Sequence, residues 1–326
     1  MSNIQSIALS ARVNLNLHNL NSEGTEGNQQ QTRMVYVVVP DAEDRDGANR
    51  YSVNAVSGDM FKHIYVGHLT DALLSLGEPL SEGARTYNPD RVNLDAKFID
   101  EVANDKSKDG EAVLAEVIKR CAVTDIAGTL ITAGRAVARK SCVEFGWVVG
   151  IPDLVHSEQY FHVKYDPRSR AKSALQAGEE QGEGTVAGRQ AIFHRPANSG
   201  FYALVCQLDL ARIGMNEISR NVEISEESRR RRQAAAIQAL LATLVEPAGA
   251  QRNTQNPHIT ECTGVISVSK SYLPAPTVSP LNADFASEVE GIAGTLNTIV
   301  SDSVSVHSFD KLSTGVAILG KLSKEV

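Results

Sequence analysis

The segment Arg50-Tyr-Ser-Val-Asn-Ala-Val-Ser-Gly-Asp-Met-Phe-Lys62-His63 brings a capping hydroxyl, a glycine and two basic side chains together at the start of an amphipathic run. That set suits an anion. Ser57 is a favoured helix N-cap, Gly58 admits another backbone, and first-turn N–H groups lack intrahelical acceptors, so phosphate oxygens can satisfy them. Lys62 and His63 follow one turn later. The same residues also make an ordinary capped helix. A second polar set lies upstream, where Arg12, Asn14 and Asn16 alternate with apolar residues and Arg33 closes a polar loop that begins at His18. Amides and guanidinium groups fit backbone and sugar contacts that carry no base choice. That run also reads as a long solvent loop.

A third set, Arg168, Arg170 and Lys172, stands in a Gln/Glu/Gly-rich stretch that cannot bury much surface. It reads either as a phosphate clamp or as a surface loop. Arg229-Arg-Arg-Arg232 is the one basic run, and consecutive helical residues point about 100° apart, so half or more of it is expected on a solvated face, where it could meet a neighbouring subunit. Cys121, Cys142, Cys206 and Cys262 stand far apart in apolar sequence and read as buried free thiols. The histidines are scattered, without HExxH. Gly182-Glu-Gly184-Thr-Val-Ala187 fits a dinucleotide fingerprint by letters only, since no strand precedes it and no amphipathic helix follows. No Walker A run, nucleophile elbow or metal-ligand cluster is present, which points away from an enzyme and from any cofactor.

These side chains need elements to hold them. Ile7, Leu9, Ala11, Val13, Leu15 and Leu17 have the period of a strand with one buried and one wet face. An apolar strand follows from Met34 to Val39, then an acidic turn from Pro40 to Arg50. Apolar residues from Met60 to Leu76 recur at helical spacing and stop at Gly77. Residues 78 to 110 are polar and weakly periodic, an insertion that leads to a short helix from Glu111 to Arg120. Strands are predicted at 142–149, 160–165, 191–194, 201–208 and 264–269, with a second strong helix from Glu226 to Val245 capped by Ser225. A last helix is expected over 283–298, and a further strand in the tail through Val306 and Ile318. Two strand-helix-strand sets suit an α+β, ferredoxin-like or RRM-like palm spanning the chain as one domain.

At 326 residues the chain can bury a substantial core, and 42% hydrophobic with 22% charged residues is ordinary for a globular protein. No apolar run approaches the roughly 20 residues of a membrane span. A cytoplasmic protein without a membrane partner is expected. The net charge of -7 disfavours nucleic acid as a whole-chain average, yet a groove needs only local positive charge.

The order of these pieces resembles the DevR family of CRISPR effector proteins, the repeated backbone subunit of type I Cascade complexes. The matching pieces are Leu9-Ser-Ala-Arg-Val-Asn-Leu-Asn, the loop ending in Thr32-Arg33, Val56-Ser-Gly…Lys62-His63 and Cys121-Ala-Val-Thr-Asp-Ile-Ala-Gly128. Further on come Ser141 to Gly150, Gly200 to Leu210 with Ile213-Gly214, and Tyr272-Leu-Pro-Ala-Pro276. The resemblance implies a palm carrying a helical finger at 78–141 and a thumb at 166–189. It implies a non-catalytic subunit that polymerises along a CRISPR guide RNA and presents the spacer to target DNA. Its partners would be guide RNA, target DNA through the guide, other copies of itself and other Cascade subunits. Arg12, Asn14, Asn16, Arg33, Ser57, Gly58, Lys62, His63, Arg168, Arg170 and Lys172 would contact RNA. Two alternatives stay open: a type III-like RNA endonuclease, although the first loop offers Glu23 and Glu26 but no aspartate, and a homopolymeric scaffold free of nucleic acid.

Overall fold

The computed structural model describes residues 4–40, 47–134, 136–164 and 191–326. The expected thumb at 166–189, with Arg168, Arg170, Lys172 and the Gly182 to Ala187 letters, lies outside the described residues. The central strand β1 (Ser6–His18) is flanked on one side by β11 (His258–Ser269) and on the other by β10 (Ala191–Asp209), both antiparallel. Beyond β10 run β9 (Val148–Lys164), β5 (Ala48–Val56) and the edge strand β4 (Met34–Pro40); beyond β11 lies β12 (Val304–Phe309). A short strand, β8 (Val143–Phe145), continues along β10 where β9 leaves it.

Helix α1 (Gly58–Ser75) and helix α6 (Glu226–Val245) cover one face of this sheet. In chain order β1, α1, β8, β10, α6 and β11 form the ferredoxin-like βαββαβ unit, with spatial order β11-β1-β10-β8. Ile7, Leu9, Ala11, Val13 and Leu15 of β1 meet Phe61, Tyr65, Leu69, Ile237 and Leu240 in one apolar cluster. The Tyr65 hydroxyl donates to the Ala236 carbonyl at 3.0 Å and fixes α1 on α6. The opposite face of β1 is wet only from Arg12 onward, because Ala8 and Ser10 are buried as well. Chain from 273 onward and helix α7 (Phe285–Ile299) cover that face, with Phe285 and Val289 packed on Val265.

The polar loop expected at 18–33 is a β-hairpin, β2 (Ser22–Glu26) and β3 (Gln29–Thr32), turned through Gly27 at φ +62 and Asn28. The strands expected at 191–194 and 201–208 are one, because Gly200, at φ +141, lets Leu154 pass where a Cβ would lie 2.1 Å from its carbonyl oxygen. The tail does add β12, but Ile318 belongs to a last helix, α8 (Leu312–Glu325), packed on α6.

Residues 78–141 fold into α2 (Glu82–Arg85), a 3-10 turn (Arg91–Leu94), α3 (Ala96–Phe98), a π turn (Ile99–Ala103), α4 (Gly110–Arg120), α5 (Ala122–Ala127) and the two-stranded β6 (Thr129–Ile131) and β7 (Val137–Arg139). Phe98, Val102, Val113, Val117 and Ile131 give this insertion its own apolar cluster.

The insertion is fastened to the palm through buried charge, and this corrects the reading of the arginine run. Arg232 is 1% exposed; its guanidinium donates to Glu78 at 2.8 Å, Asp125 at 3.0 Å and the Ile118 carbonyl at 2.8 Å. Asp125 also accepts from Arg139 at 2.7 Å and from the Gly214 amide. Arg229 donates to the Ala211 and Ile213 carbonyls, and Arg231 reaches Glu78 at 2.7 Å. Only Arg230 keeps to a plain surface pair, with Glu226. Burial pushes the Glu78 carboxyl up, but hydrogen bonds from Ser228, Arg232 and Arg231 more than offset this and leave it below its ordinary value.

Removing one member of a buried pair leaves an uncompensated charge. Arg232→Ala should lower unfolding free energy by about 3–5 kcal/mol, whereas Arg230→Ala should stay within about 0.5 kcal/mol, both read from denaturant midpoints. Because the folded-state value of Glu78 is depressed, its contribution is complete above the unfolded carboxylate value near 4.5 and is lost as pH falls through the folded value. Acid unfolding of the wild type should steepen below about pH 4.5, and Glu78→Gln should remove that part of the dependence.

Candidate nucleic-acid interface

The start of α1 is built as its sequence suggests. Ser57 is extended, with φ -64 and ψ 150, and its side chain accepts the Met60 amide at 3.2 Å. The Ser57 amide donates to Asn21 Oδ1 at 2.9 Å, which ties the helix start to the chain leaving β1. Gly58 does admit a close backbone, and that backbone is the protein's own: a Cβ would lie 2.6 Å from the Phe145 carbonyl oxygen and 3.2 Å from that of Gly146. The turn so admitted carries Trp147, the only tryptophan of the chain, 44% exposed. Arg33 stacks its guanidinium over that indole, 5.4 Å from the ring centre, and pairs with Glu23 of β2. Ser57, Gly58, Arg33 and Trp147 therefore meet at one place, although they come from three stretches of chain.

A polar lattice holds this junction. Asn54 at the end of β5 donates to Thr32 Oγ1 and to the Arg33 carbonyl, and accepts the Tyr202 hydroxyl at 2.8 Å. Asn198 of β10 donates to the His18 carbonyl and to Thr32. His18 is itself core: burial pushes its imidazole down to about 3, and it sits edge-on to Tyr202.

Lys62 and His63 turn toward a separate cleft of about 800 Å3 between α1 and the insertion, in which Tyr87, Asn88 and Arg91 form the far wall. Burial, and after it the neighbouring Arg91 charge, lowers the Lys62 ammonium from its ordinary value. Arg12 stands apart, because it donates to the Pro280 carbonyl at 3.0 and 2.9 Å and lies over Phe285. Asn14 and Asn16 bond to each other at 2.8 Å on the part of β1 that stays open. The expected residues thus divide: Ser57, Gly58 and Arg33 come together, Lys62 and His63 lie one turn away on the cleft, and Arg12 serves the fold. Trp147 and Arg91 are the additions. A lone tryptophan between glycine and a strand was the available signal for Trp147; for Arg91, in a weakly periodic stretch, there was none.

Among the described residues no group of three or more histidine, cysteine or acidic side chains is placed to hold a metal, and no helix is long and apolar enough to cross a membrane. All four cysteines are buried and free.

A family model described as CRISPR-associated negative auto-regulator DevR/Csa2 matches residues 9–290. Among solved structures, a chain of a CRISPR RNA-guided surveillance complex in a pre-nicking form is similar at 13% identity and a TM-score of 0.53, covering 98% of this chain and 99% of that one. A chain of another CRISPR RNA-guided surveillance complex is similar at 12% identity and a TM-score of 0.46, with 98% of each chain covered. Thermofilum pendens Csc2 is similar at 12% identity and a TM-score of 0.38, covering 98% of this chain and 85% of that one. At 13% identity the first of these likenesses is one of fold. No curated protein gives a significant match.

The two glycines of α1 and its cap separate close approach from helix propensity. Gly58→Ala should destabilise by about 1–3 kcal/mol, because backbone oxygens of the 145–146 turn cannot move aside freely. Gly67→Ala, with nothing within 4 Å of the new methyl, should be stabilising by about 0.5–1 kcal/mol in the same denaturant assay.

Proposed function

Because the chain belongs to the CRISPR-associated DevR/Csa2 family, we propose that it is a non-catalytic backbone subunit that binds the phosphates of a CRISPR guide RNA and assembles with further copies along it. The observation that carries this reading is the junction at the start of α1, where a capped helix end, the Arg33 guanidinium and the half-exposed Trp147 ring meet beside Lys62 and His63. Helix amides and cations hold phosphates, and an indole accepts any base face, so the set suits single-stranded RNA without selecting its sequence. Sequence would be read by pairing between guide and target DNA.

The division of roles follows from the geometry of each side chain. Lys62 serves as the phosphate cation and the His63 ring as a hydrogen-bonding group beside it, while Ser57 fixes the amides of the first turn. Gly58 acts indirectly, by seating the turn that presents Trp147. Asn14 and Asn16 offer amides to sugar or backbone on the open end of β1. In the same reading the insertion at 78–141 is the finger, the ribbon of β9 and β10 leads into a thumb, and the other Cascade subunits bind at the ends of the filament. The net charge of -7 makes solitary binding weak and leaves affinity to accumulate through neighbour contacts.

Lys62→Ala should weaken binding to the same extent for guides of unrelated sequence and flatten the salt dependence by about one charge, because a phosphate contact carries no base information. Binding isotherms at several salt concentrations check this, and an unchanged slope removes Lys62 from the site. Guides long enough for several subunits should bind cooperatively, whereas a guide holding one subunit should bind poorly. Equal affinity across an RNA-length series measured by mass photometry contradicts filament assembly.

A further inference from the structure

Two cations that line the cleft between α1 and the insertion have no ion-pair partner among the described residues. On one wall stands Lys62, partly buried and without a hydrogen-bond or ion-pair partner among the described residues. On the other stands Arg91, which donates Nη1 to the Gly128 carbonyl while its buried Nε has no partner. No carboxylate pairs with Arg91 among the described residues. The acids that line the cleft are engaged elsewhere or act at range: Asp71 accepts the Tyr87 hydroxyl at 2.5 Å, and Glu246 pairs with Arg252 at 2.5 Å. Asp59 and the nearby Glu144 of β8 influence Lys62 through space without forming an ion pair.

Two cations that line one half-enclosed space without a direct ion pair repel each other, and each has given up part of its hydration. Burial lowers Arg91 from its ordinary value as well as Lys62, where Asp59 and Glu144 offset part of the effect. An anion between them would offset both costs. The Arg91 side of the cleft is also held in place by backbone that could not drift: Arg91 sits at φ +48, and its carbonyl packs where a Cβ on Gly83 would lie 2.4 Å away.

We infer that Lys62 and Arg91 clamp one phosphate group in this cleft, so that the insertion supplies half of an anion site that begins on α1. The Arg91 guanidinium, whose buried Nε has no partner, would give the fixed charge, and the Lys62 ammonium the mobile one. At about 800 Å3 the cleft has room for the sugar attached to that phosphate. The source of the phosphate rests on the RNA reading above; a phosphodiester of a strand and a free di- or monophosphate share the recognised chemistry.

The test uses the full chain and two probes: fluorescent single-stranded RNAs of unrelated sequence, and pyrophosphate followed by thermal shift. Arg91→Gln should weaken RNA binding about tenfold and flatten the salt slope by about one, while Arg91→Lys keeps most of that slope. Arg230→Gln, the exposed and charge-matched control, should bind as the wild type does. Wild-type affinity and slope in a folded Arg91→Gln overturn the inference and leave the RNA reading intact, and so does a loss that Arg230→Gln reproduces. Lys62→Gln disturbs no hydrogen bond among the described residues and reads the opposite wall should Arg91→Gln not fold; wild-type behaviour there overturns the clamp equally. If the wild type binds no RNA, the reading above falls. A pyrophosphate shift that Arg91→Gln abolishes then establishes the clamp as a free-phosphate site, and no shift in the wild type overturns it too.

Discussion

The cleft in which Lys62 and Arg91 stand on opposite walls depends on a buried chain of alternating charges, Glu78, Arg232, Asp125 and Arg139, that locks the insertion to the palm. Glu78 follows α1, Arg232 is on α6, Asp125 is in α5 and Arg139 ends the insertion. No pair of these elements can shift without exposing an unpaired charge to apolar surroundings, a cost of several kcal/mol. The cleft between α1 and the insertion therefore keeps its width, and Lys62 and Arg91 keep their separation. Rigidity here is a consequence of electrostatics as much as of packing. Packing acts alongside it: Leu80, Ala84, Cys121, Val123 and Ile126 of the insertion belong to the palm's apolar cluster, while Phe98, Val102, Val113, Val117 and Ile131 form a second one of their own.

The same network explains why several short motifs of the chain have the residues they have. Asp125 accepts from Arg232, Arg139 and the Gly214 amide, which joins Cys121 to Gly128 with the Ile213-Gly214 pair. Gly128, at φ +77, lies where a Cβ would be 2.7 Å from the Arg139 carbonyl oxygen, and the strand carrying Arg139 can approach only because it is absent. These are structural requirements, and a side chain meeting them says nothing by itself about RNA. The proposed RNA contacts Lys62 and His63 are instead side chains without a hydrogen-bond or ion-pair partner among the described residues.

Strand and helix periodicity made most of the palm legible in the sequence. The Ser57 and Ser225 caps and the apolar stripe of α1 reappear, as does the alternation of β1 over Ala11 to Asn16; before Arg12 both faces of β1 are buried, and Leu17 is exposed. What escaped had a physical reason in each case. The β2–β3 hairpin is made of glutamines and glutamates, so no alternation marked it, although Gly27-Asn28 is a hairpin turn pair. Arg232 looked like surface because a fully buried arginine needs two carboxylates from distant sequence, which periodicity along one helix does not reveal. Arg12 likewise looked solvent-facing until the 280–285 segment covered it. At the site, Ser57 and Lys62 could be named from the chain, whereas Arg91 faces Lys62 only because the insertion folds back.

In the proposed function RNA runs past the start of α1, between the Trp147 turn and the insertion cleft. Ultraviolet crosslinking of the purified protein to its copurified RNA, followed by mass spectrometry of the crosslinked peptides, tests it most directly. Nucleotide adducts are expected on the peptides holding Lys62, His63 and Trp147. Adducts confined to α7 and α8, or a protein that copurifies with no RNA, would contradict it.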